Sequence, residues 1–122
     1  MIFGSNGEIM DIYFKSKRLS KKCSNKKEMI KEWGSEIAKK LSIRLMEIQA
    51  ASNIEELKKL PQARCHKLKG NRDNQFAVDL KHPYRLIFEP YQDPIPLKSD
   101  GGLDLAKITA ILILEVDDYH GN

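Results

Sequence analysis

The sequence predicts an α+β fold in which an N-terminal pair of helices packs on a small twisted, mainly antiparallel β-sheet. The first observation is a change of period, because apolar residues recur every three or four positions from Ile30 to Leu60 and every second position after Pro61. The second is that short turns connect the later strands, which favours antiparallel neighbours. At 122 residues the chain is long enough for one core, so a single domain is predicted over residues 1–122.

The N-terminal segment is predicted to contain one strand followed by a basic linker. Met10, Ile12 and Phe14 alternate with polar residues, which is typical of a short strand at or near the edge of a sheet. Residues 15–27 carry many lysines and few apolar side chains. No packed element is therefore expected in that segment.

Two helices are predicted next. Asn25 and Glu28 have the spacing of a capping box, which marks the start of a helix. Asn53 and Glu56 repeat the pattern, and the shorter helix that they start ends before Pro61. The first helix is long and amphipathic, with apolar residues at intervals of three and four: Ile30, Trp33, Ile37, Leu41, Leu45 and Ile48.

Four strands, separated by turns, are predicted after the helices. The last of them is apolar on both faces, which suits a central place in the sheet. Prolines and a Gly-Gly pair predict an irregular surface excursion over residues 91–105. Glycine and asparagine predict a turn at residues 70–74. The four predicted strands cover residues 64–70, 76–80, 84–90 and about 107–116.

The charge of the chain is distributed unevenly. Residues 1–72 contain 17 Lys and Arg against 8 Asp and Glu, which gives a formal charge of +9. Residues 73–122 contain 4 against 9, which gives −5. A basic half is the expected surface for a polyanion or an acidic protein partner, although a run of lysines is more often a solvated helix face.

Composition excludes several classes of protein. Cys23 and Cys65 match neither the spacing of a zinc site nor that of a redox pair, so both are predicted to be reduced thiols, and no metal or cofactor is expected. No apolar run approaches the roughly 20 residues that a membrane helix needs. Residues 1–8 lack the pattern of a signal peptide. A cytoplasmic protein without a membrane partner is therefore expected.

Candidate catalytic groups lie along and beyond the predicted strands, and in a small sheet they could share one face or rim. Imidazole, carboxylate, phenol and guanidinium groups together suit cleavage of a phosphodiester bond. A base takes the proton of a ribose 2′-hydroxyl, an acid protonates the leaving 5′-oxygen, and cations stabilise the charge on phosphorus. Such cleavage requires no metal and is restricted to RNA. The candidates are His66, Arg72, Arg85 and the terminal Asp118, Tyr119 and His120.

Each of these residues also has a structural interpretation. The terminal residues 118–120 could cap a turn, pack against the sheet end or be solvated, and His66 could be a surface histidine between lysines. Arg85 could pair with an acid on a neighbouring strand. Lys67 and Lys69 share a strand face and could contact phosphates, but a solvated lysine face is equally consistent with the pattern. Only the combination of these residues favours catalysis.

The combination resembles a known family. The stretch HKLKGNRDNQFAVDLKHPYRLIF, followed after a gap by ILILEVDDYHG, is similar to the RelE/ParE superfamily of bacterial toxins and within it to the HigB-like branch. Members of that branch show His-x-Leu-x-Gly-Asn/Asp-Arg, a Tyr-Arg pair at the start of a strand and an Asp-Tyr-His ending. The resemblance spans about residues 25–122 in element order.

The resemblance implies a RelE-like fold and the toxin of a type II toxin–antitoxin pair. Such a toxin enters the ribosomal A site, cuts messenger RNA and is neutralised by a cognate helix-turn-helix antitoxin. It is expected to be monomeric when free and to form a higher-order complex with the antitoxin.

The resemblance also implies roles for individual residues. His66 corresponds to the residue in the first strand of the motif that is expected to act as the general base or acid. The terminal catalytic group corresponds to Asp118, Tyr119 and His120, in which the tyrosine ring could stack on a base. The matches to phosphate contacts are Arg72 and Arg85, with Lys67 and Lys69 as auxiliaries.

Two features depart from the family pattern. Asp79 stands where many such toxins carry an arginine, so either it pairs with Arg85 or Arg72 and holds that side chain in place, or the site is weakened. An insertion over residues 91–104 could alter the face that meets the ribosome or the antitoxin. A binding module without cleavage and a gyrase-directed toxin of the ParE type are therefore the alternatives. His66 and the Asp-Tyr-His ending speak against the gyrase-directed toxin.

Overall fold

The computed structural model describes residues 9–70, 72 and 74–118. Within them the chain forms five β-strands, four α-helices and a 3₁₀ turn at Leu105–Lys107. The helices are α1 (Lys17–Lys22), α2 (Lys26–Trp33), α3 (Ser35–Ala50) and α4 (Ile54–Lys58). The strands are β1 (Asp11–Phe14), β2 (His66–Lys67), β3 (Phe76–Asp79), β4 (Tyr84–Pro90) and β5 (Ala110–Asp118).

The five strands form one sheet in the order β1-β5-β4-β3-β2. β1 runs parallel to β5, and the three other pairings are antiparallel. This architecture confirms the predicted α+β class and the mainly antiparallel sheet. It also confirms that the first strand lies at an edge and that the last strand has a neighbour on each side.

The core lies between the helices and one face of the sheet. Phe76 of β3 and Phe88 of β4 are opposite each other in register, and their rings stack with centroids 5.7 Å apart. Val78 and Leu80 join them in the same buried cluster, as the alternation of FAVDL predicted. Helix α3 contributes Ile37, Leu41 and Ile48 to this cluster.

The predicted long helix is two helices. Gly34 ends α2 and begins α3, and its φ of +87° is a conformation that residues with a Cβ rarely adopt. The break rotates the buried face of α2, so Met29 is buried while Ile30 is 42% exposed. The prediction that Ile30 lies on the buried stripe is therefore wrong, and Gly34 is the sequence signal for the break.

The prediction of an unpacked basic linker over residues 15–27 is also wrong, because α1 lies within it. Ser16 caps this helix by accepting a hydrogen bond from the backbone N–H of Leu19 at 3.1 Å. Lys21 and Lys22 fall in the last turn, where positive charge is favourable to the helix dipole. Cys23, directly after the helix, is buried in the core.

The strands predicted at residues 64–70 and at about 107–116 have different bounds in the structure. β2 covers only His66–Lys67, because Arg64 has a φ of +45° and is not extended. The start of the predicted last strand is the 3₁₀ turn, and β5 begins at Ala110. The predicted turn at residues 70–74 lies partly outside the described residues, and its two ends, Gly70 and Asn74, both have positive φ.

The irregular excursion predicted over residues 91–105 is confirmed, and the 3₁₀ turn follows it before β5 begins. The described contacts within it include an isolated bridge between Leu97 and Leu103. Tyr91 at its start is half exposed and packs against Tyr13 of β1, with ring centroids 5.0 Å apart. None of the helices in the described part of the chain combines the length and apolar composition needed to span a lipid bilayer.

Candidate functional site

The face of the sheet opposite the helices carries two rows of side chains. Directly opposite residues in an antiparallel pair project to the same face, so the strand register identifies the rows. One row runs through His66, Ala77, Ile87 and Glu115. The other row runs through Asp79, Arg85 and Asp117. The candidate histidine, an arginine and three acids are therefore placed on one face by backbone pairing alone.

A pocket of about 600 Å³ opens beside these rows. Five of the predicted site residues line it, and the only described carboxylate in its wall belongs to Asp79. Counting Arg64 together with the predicted residues, five arginine and lysine side chains line the pocket, so its charge favours an anionic ligand. The predicted residues are His66, Lys67, Lys69, Arg72 and Arg85, and the lining residues that were not predicted include Arg64, His82 and Tyr84.

The ring of His66 is bound to the backbone of Arg64. Its Nδ1 lies 2.7 Å from the carbonyl oxygen of Arg64. A carbonyl oxygen can only accept a hydrogen bond, so Nδ1 must carry the proton. In the neutral ring Nε2 then has the lone pair, and this second nitrogen is the one able to accept a proton.

Asp79 forms a two-point ion pair with Arg64. The Nε of Arg64 lies 2.6 Å from Oδ2 of Asp79, and Nη2 lies 3.1 Å from Oδ1. The expectation that Asp79 pairs with Arg85 or Arg72 is therefore wrong, because the described ion pair of its carboxylate is with Arg64. The negative charge of Asp79 is offset by Arg64, which lies just before the His66 motif.

Arg85 and Arg72 are each held by an acid of β5. Arg85 contacts Asp117 through Nε and Nη2, both 3.0 Å from Oδ2. Arg72 contacts Glu115 at 3.1 Å and donates to the side chain of Gln75 at 3.0 Å. One interpretation of Arg85, pairing with an acid on a neighbouring strand, is confirmed, and both guanidinium groups have defined positions in the pocket wall.

The segment before His66 is fixed by a buried arginine of α3. Arg44 is 5% exposed and donates to the backbone carbonyls of Asp79 at 2.7 Å and Gln62 at 2.6 Å. Its Nη1 also lies 3.0 Å from Glu47. Arg44 thus connects the helix layer to β3 and to the loop that leads to Arg64.

The two lysines reach the pocket from different places. Lys67 is opposite Phe76 in the register, so it projects to the other face of the sheet from His66. Lys69 lies beyond the end of β2. Both are exposed and line the pocket. They therefore add charge at its rim.

The terminal group of the motif is described only at its first residue. Asp118 ends β5 opposite Tyr84 of β4, and it is exposed. Tyr84 lines the pocket, which places the end of β5 beside it. Tyr119 and His120 lie outside the described residues. Their convergence with His66 stays a prediction.

Both cysteines are free and buried, which confirms the prediction of reduced thiols. Burial raises the pKa of the Cys23 thiol and that of the Cys65 thiol to about 12. Cys65 packs in the core while its neighbour His66 lines the pocket, so the two do not face a common ligand. Among the described residues, no group of three or more His, Cys, Asp or Glu side chains is placed to bind a metal ion.

Comparison with protein families identifies a similarity over most of the chain. The family model of HigB-like toxins, described as the RelE-like toxin of the type II toxin–antitoxin system HigB, matches residues 12–97. The match includes the pocket-lining segment from Arg64 to Arg85. The terminal residues 118–120 lie beyond it. No curated protein matches the chain.

Proposed function

The chain belongs to the HigB-like family of RelE-like toxins of type II toxin–antitoxin systems, and from this premise we propose that it is an endoribonuclease that cuts messenger RNA on the ribosome. The observation that carries the proposal is the basic pocket around His66, in which a ring nitrogen able to accept a proton lies among cations. The cations can bind the phosphates of the RNA backbone, and the base can remove the proton of the 2′-hydroxyl.

The proposed reaction starts with Nε2 of His66. This nitrogen takes the proton of a ribose 2′-hydroxyl, whose oxygen attacks the adjacent phosphorus. The bond from phosphorus to the 5′-oxygen breaks, and that oxygen takes a proton from the terminal group. The products are a 2′,3′-cyclic phosphate and a 5′-hydroxyl, and no metal takes part in these steps.

The arginines are proposed to stabilise the charge that develops on phosphorus. Arg72 and Arg85 are held by acids, so little reorganisation is needed when the charge appears. Lys67 and Lys69 are proposed to contact flanking phosphates from the rim. Asp118, Tyr119 and His120 are proposed to supply the acid and a stacking surface for a base, as the family resemblance implies.

A type II toxin has an antitoxin partner, and we propose a helix-turn-helix antitoxin for this chain. The free toxin is proposed to be a monomer that enters a higher-order complex with the antitoxin, and the ribosome and messenger RNA are its other proposed partners in the cytoplasm. The pairing of Asp79 with Arg64 supports an enzyme over a binding module, because the charge that motivated the binding module is offset.

The test is induced expression in a bacterial host while the 5′ ends of messenger RNA are mapped. The intact chain is compared with His120→Ala and Tyr119→Ala, and with His66→Gln. Arrested growth with new cuts in translated codons, abolished by these substitutions in folded protein, is the expected result. Normal growth without new ends from folded, well-expressed protein would overturn the proposal.

A further inference from the structure

We propose that Arg64 is a positioning residue, whose ion pair with Asp79 holds the Arg64 carbonyl against His66 and so determines which ring nitrogen of His66 acts as the base. The inference rests on the proposed ribonuclease function of His66. It gives a role to Asp79, the residue that stands where many such toxins carry an arginine.

Asp79 binds the segment before His66 at three points. Its backbone N–H donates to the carbonyl of Ala63 at 2.8 Å. Its two carboxylate oxygens accept from the guanidinium of Arg64 at 2.6 and 3.1 Å. The carbonyl that contacts His66 belongs to the same Arg64, so the ion pair acts on the residue that orients the ring.

Arg64 has a backbone conformation that needs external support. Its φ of +45° lies in the left-handed region, which arginine adopts far less readily than glycine. The peptide flanking it is anchored on both sides, since Ala63 and Cys65 are buried. If burial of these neighbours were enough, the carbonyl would point at the imidazole without the ion pair. The proposal requires the ion pair as well, and an experiment can distinguish the two cases.

The aspartate itself is held in place from the helix layer. Arg44 donates to the carbonyl of Asp79 and to that of Gln62, so it ties the end of β3 to the loop before Arg64. Asp79 therefore has a fixed backbone from which its carboxylate reaches Arg64. An arginine at position 79, as in the family pattern, would repel Arg64 instead.

The chemical consequence concerns the tautomer of His66. With the Arg64 carbonyl at Nδ1, a neutral ring has its lone pair on Nε2, and the base is defined before RNA binds. Without that carbonyl, both tautomers of the ring become populated. A ring in the wrong tautomer presents a proton to the 2′-hydroxyl and cannot accept one.

The experiment records long-range ¹H–¹⁵N spectra of the imidazole rings in the full chain, at a pH where they are neutral. With three histidines in the sequence, His66→Gln assigns the signal. We expect the Nδ1–H tautomer in the native protein and a mixture in Arg64→Ala and Asp79→Ala. The exchange of charges in Arg64→Asp with Asp79→Arg is expected to restore the Nδ1–H form, because it restores the pair.

Retention of Nδ1–H in both single variants would overturn the inference, since burial of the flanking residues would then suffice. Circular dichroism checks that each variant folds, and Asp79→Asn, which keeps the shape of the side chain, replaces any variant that does not. Lys59→Ala, which breaks the exposed ion pair with Glu56, is the matched control and should leave the spectrum unchanged.

Cleavage of ribosome-bound message supplies the second readout. We expect Asp79→Ala to lower the rate several-fold, in proportion to the loss of the Nδ1–H tautomer, and the charge exchange to recover the native rate. The spectra need neither RNA nor ribosomes, so the two proposals fail separately. If the native protein shows the expected tautomers but does not cut RNA, the ribonuclease proposal is wrong. If the native protein cuts RNA but the variants keep the native tautomer, the proposed role of Arg64 is wrong.

Discussion

Arg85 on β4 and Asp117 on β5 lie directly opposite each other, and Nε and Nη2 of Arg85 are both 3.0 Å from Oδ2 of Asp117. Asp79 is opposite Arg85 on the other side, in β3, but its carboxylate turns to Arg64. Asp117 of the last strand therefore helps to position the arginine that the Tyr-Arg motif contributes. With the Arg85 side chain only 12% exposed, the pair forms part of the pocket wall and is not a surface contact.

Replacing Asp117 with alanine should destabilise the fold and misplace Arg85. A mostly buried guanidinium would lose its contact with the Asp117 carboxylate, and we expect the free energy of unfolding to fall by about 1–2 kcal/mol. The Arg85 guanidinium would no longer be held towards β5 by Asp117, so RNA cleavage should fall as well. Urea denaturation measures the first effect. Lys59→Ala should change the unfolding much less, and equal effects of the two substitutions would contradict the special position of Arg85.

Replacing His66 with glutamine should abolish most cleavage without unfolding the protein. Removal of a general base costs about 100-fold or more in rate, whereas a half-buried ring at the pocket wall contributes little to the core. The assay is cleavage of ribosome-bound message by purified protein. His82→Gln changes an exposed histidine of the same pocket and should be close to the native rate. A His66→Gln protein as active as the native one would remove the histidine from the mechanism.

The fold was predictable from the sequence where a residue pattern is compatible with only one local structure. Alternation in FAVDL placed Phe76 and Val78 in the core, and the capping boxes correctly located the starts of α2 and α4. The prediction failed at Gly34, because a continuous three-to-four spacing of apolar residues outweighed a glycine that can end a helix. It failed at α1 because this short helix has no buried residue of its own, and the Ser16 cap is the feature that marks its start.

Part of the candidate site was predictable from motif positions, and its ion pairs were not. Each pair depends on strand register, which single residues do not show. The pairing of His66 with Ala77 places Arg64 level with Asp79, two residues further along, so an antiparallel alignment of the two strands could have identified the partner. The φ of Arg64 interrupts the strand at that point, which is why strand alternation alone gave no signal.

The rim lysines should contribute mainly electrostatic affinity for RNA. Each phosphate contact releases counterions, so removing one should reduce the slope of log affinity against log salt by about 0.7 for single-stranded RNA. We expect this change in Lys67→Ala and Lys69→Ala, measured with a non-cleavable RNA at several salt concentrations. Lys107→Ala, an exposed lysine outside the pocket, is the control. An unchanged slope in both rim variants would exclude these lysines from phosphate binding.

The buried thiols should make the fold less stable in alkaline solution. The folded pKa of Cys23 and Cys65 is raised to about 12 from an ordinary value of 9.0, so the unfolded chain ionises first. Their contribution is fully present below pH 9 and is lost as the pH rises towards 12, at up to about 1.4 kcal/mol per pH unit for each thiol. Urea denaturation at several values from pH 8 to 10.5 measures the slope.

Other groups also titrate in that range, so the thiol effect is isolated by comparison with a variant. In the double substitution Cys23→Ala with Cys65→Ala the protein loses core volume and is less stable throughout. Its stability should nevertheless fall less steeply with pH than that of the native chain. Parallel slopes in the two proteins would show that the thiols ionise equally readily in the folded and unfolded states.

Replacing Arg44 with methionine tests whether the helix layer supports the site. The substitution removes the guanidinium that donates to the carbonyls of Gln62 and Asp79, and it leaves Glu47 with only its described contact to the Gln62 side chain. Breaking such a buried set costs about 3 kcal/mol or more. Lysine at this position should rescue little, because its single ammonium cannot reproduce the three directions of the guanidinium.

The position of Arg44 predicts a local effect beyond the loss of global stability. Amide exchange in the loop at residues 62–64 and at the end of β3 should accelerate more than exchange in β1, because the described hydrogen bonds of Arg44 go to Gln62, Asp79 and Glu47. His66 should then sample both tautomers, as in the Asp79 variants, because the peptide that carries the Arg64 carbonyl has lost its support. If exchange accelerates uniformly and the tautomer of His66 is retained, Arg44 stabilises the core alone and the helix layer plays no part in orienting the base.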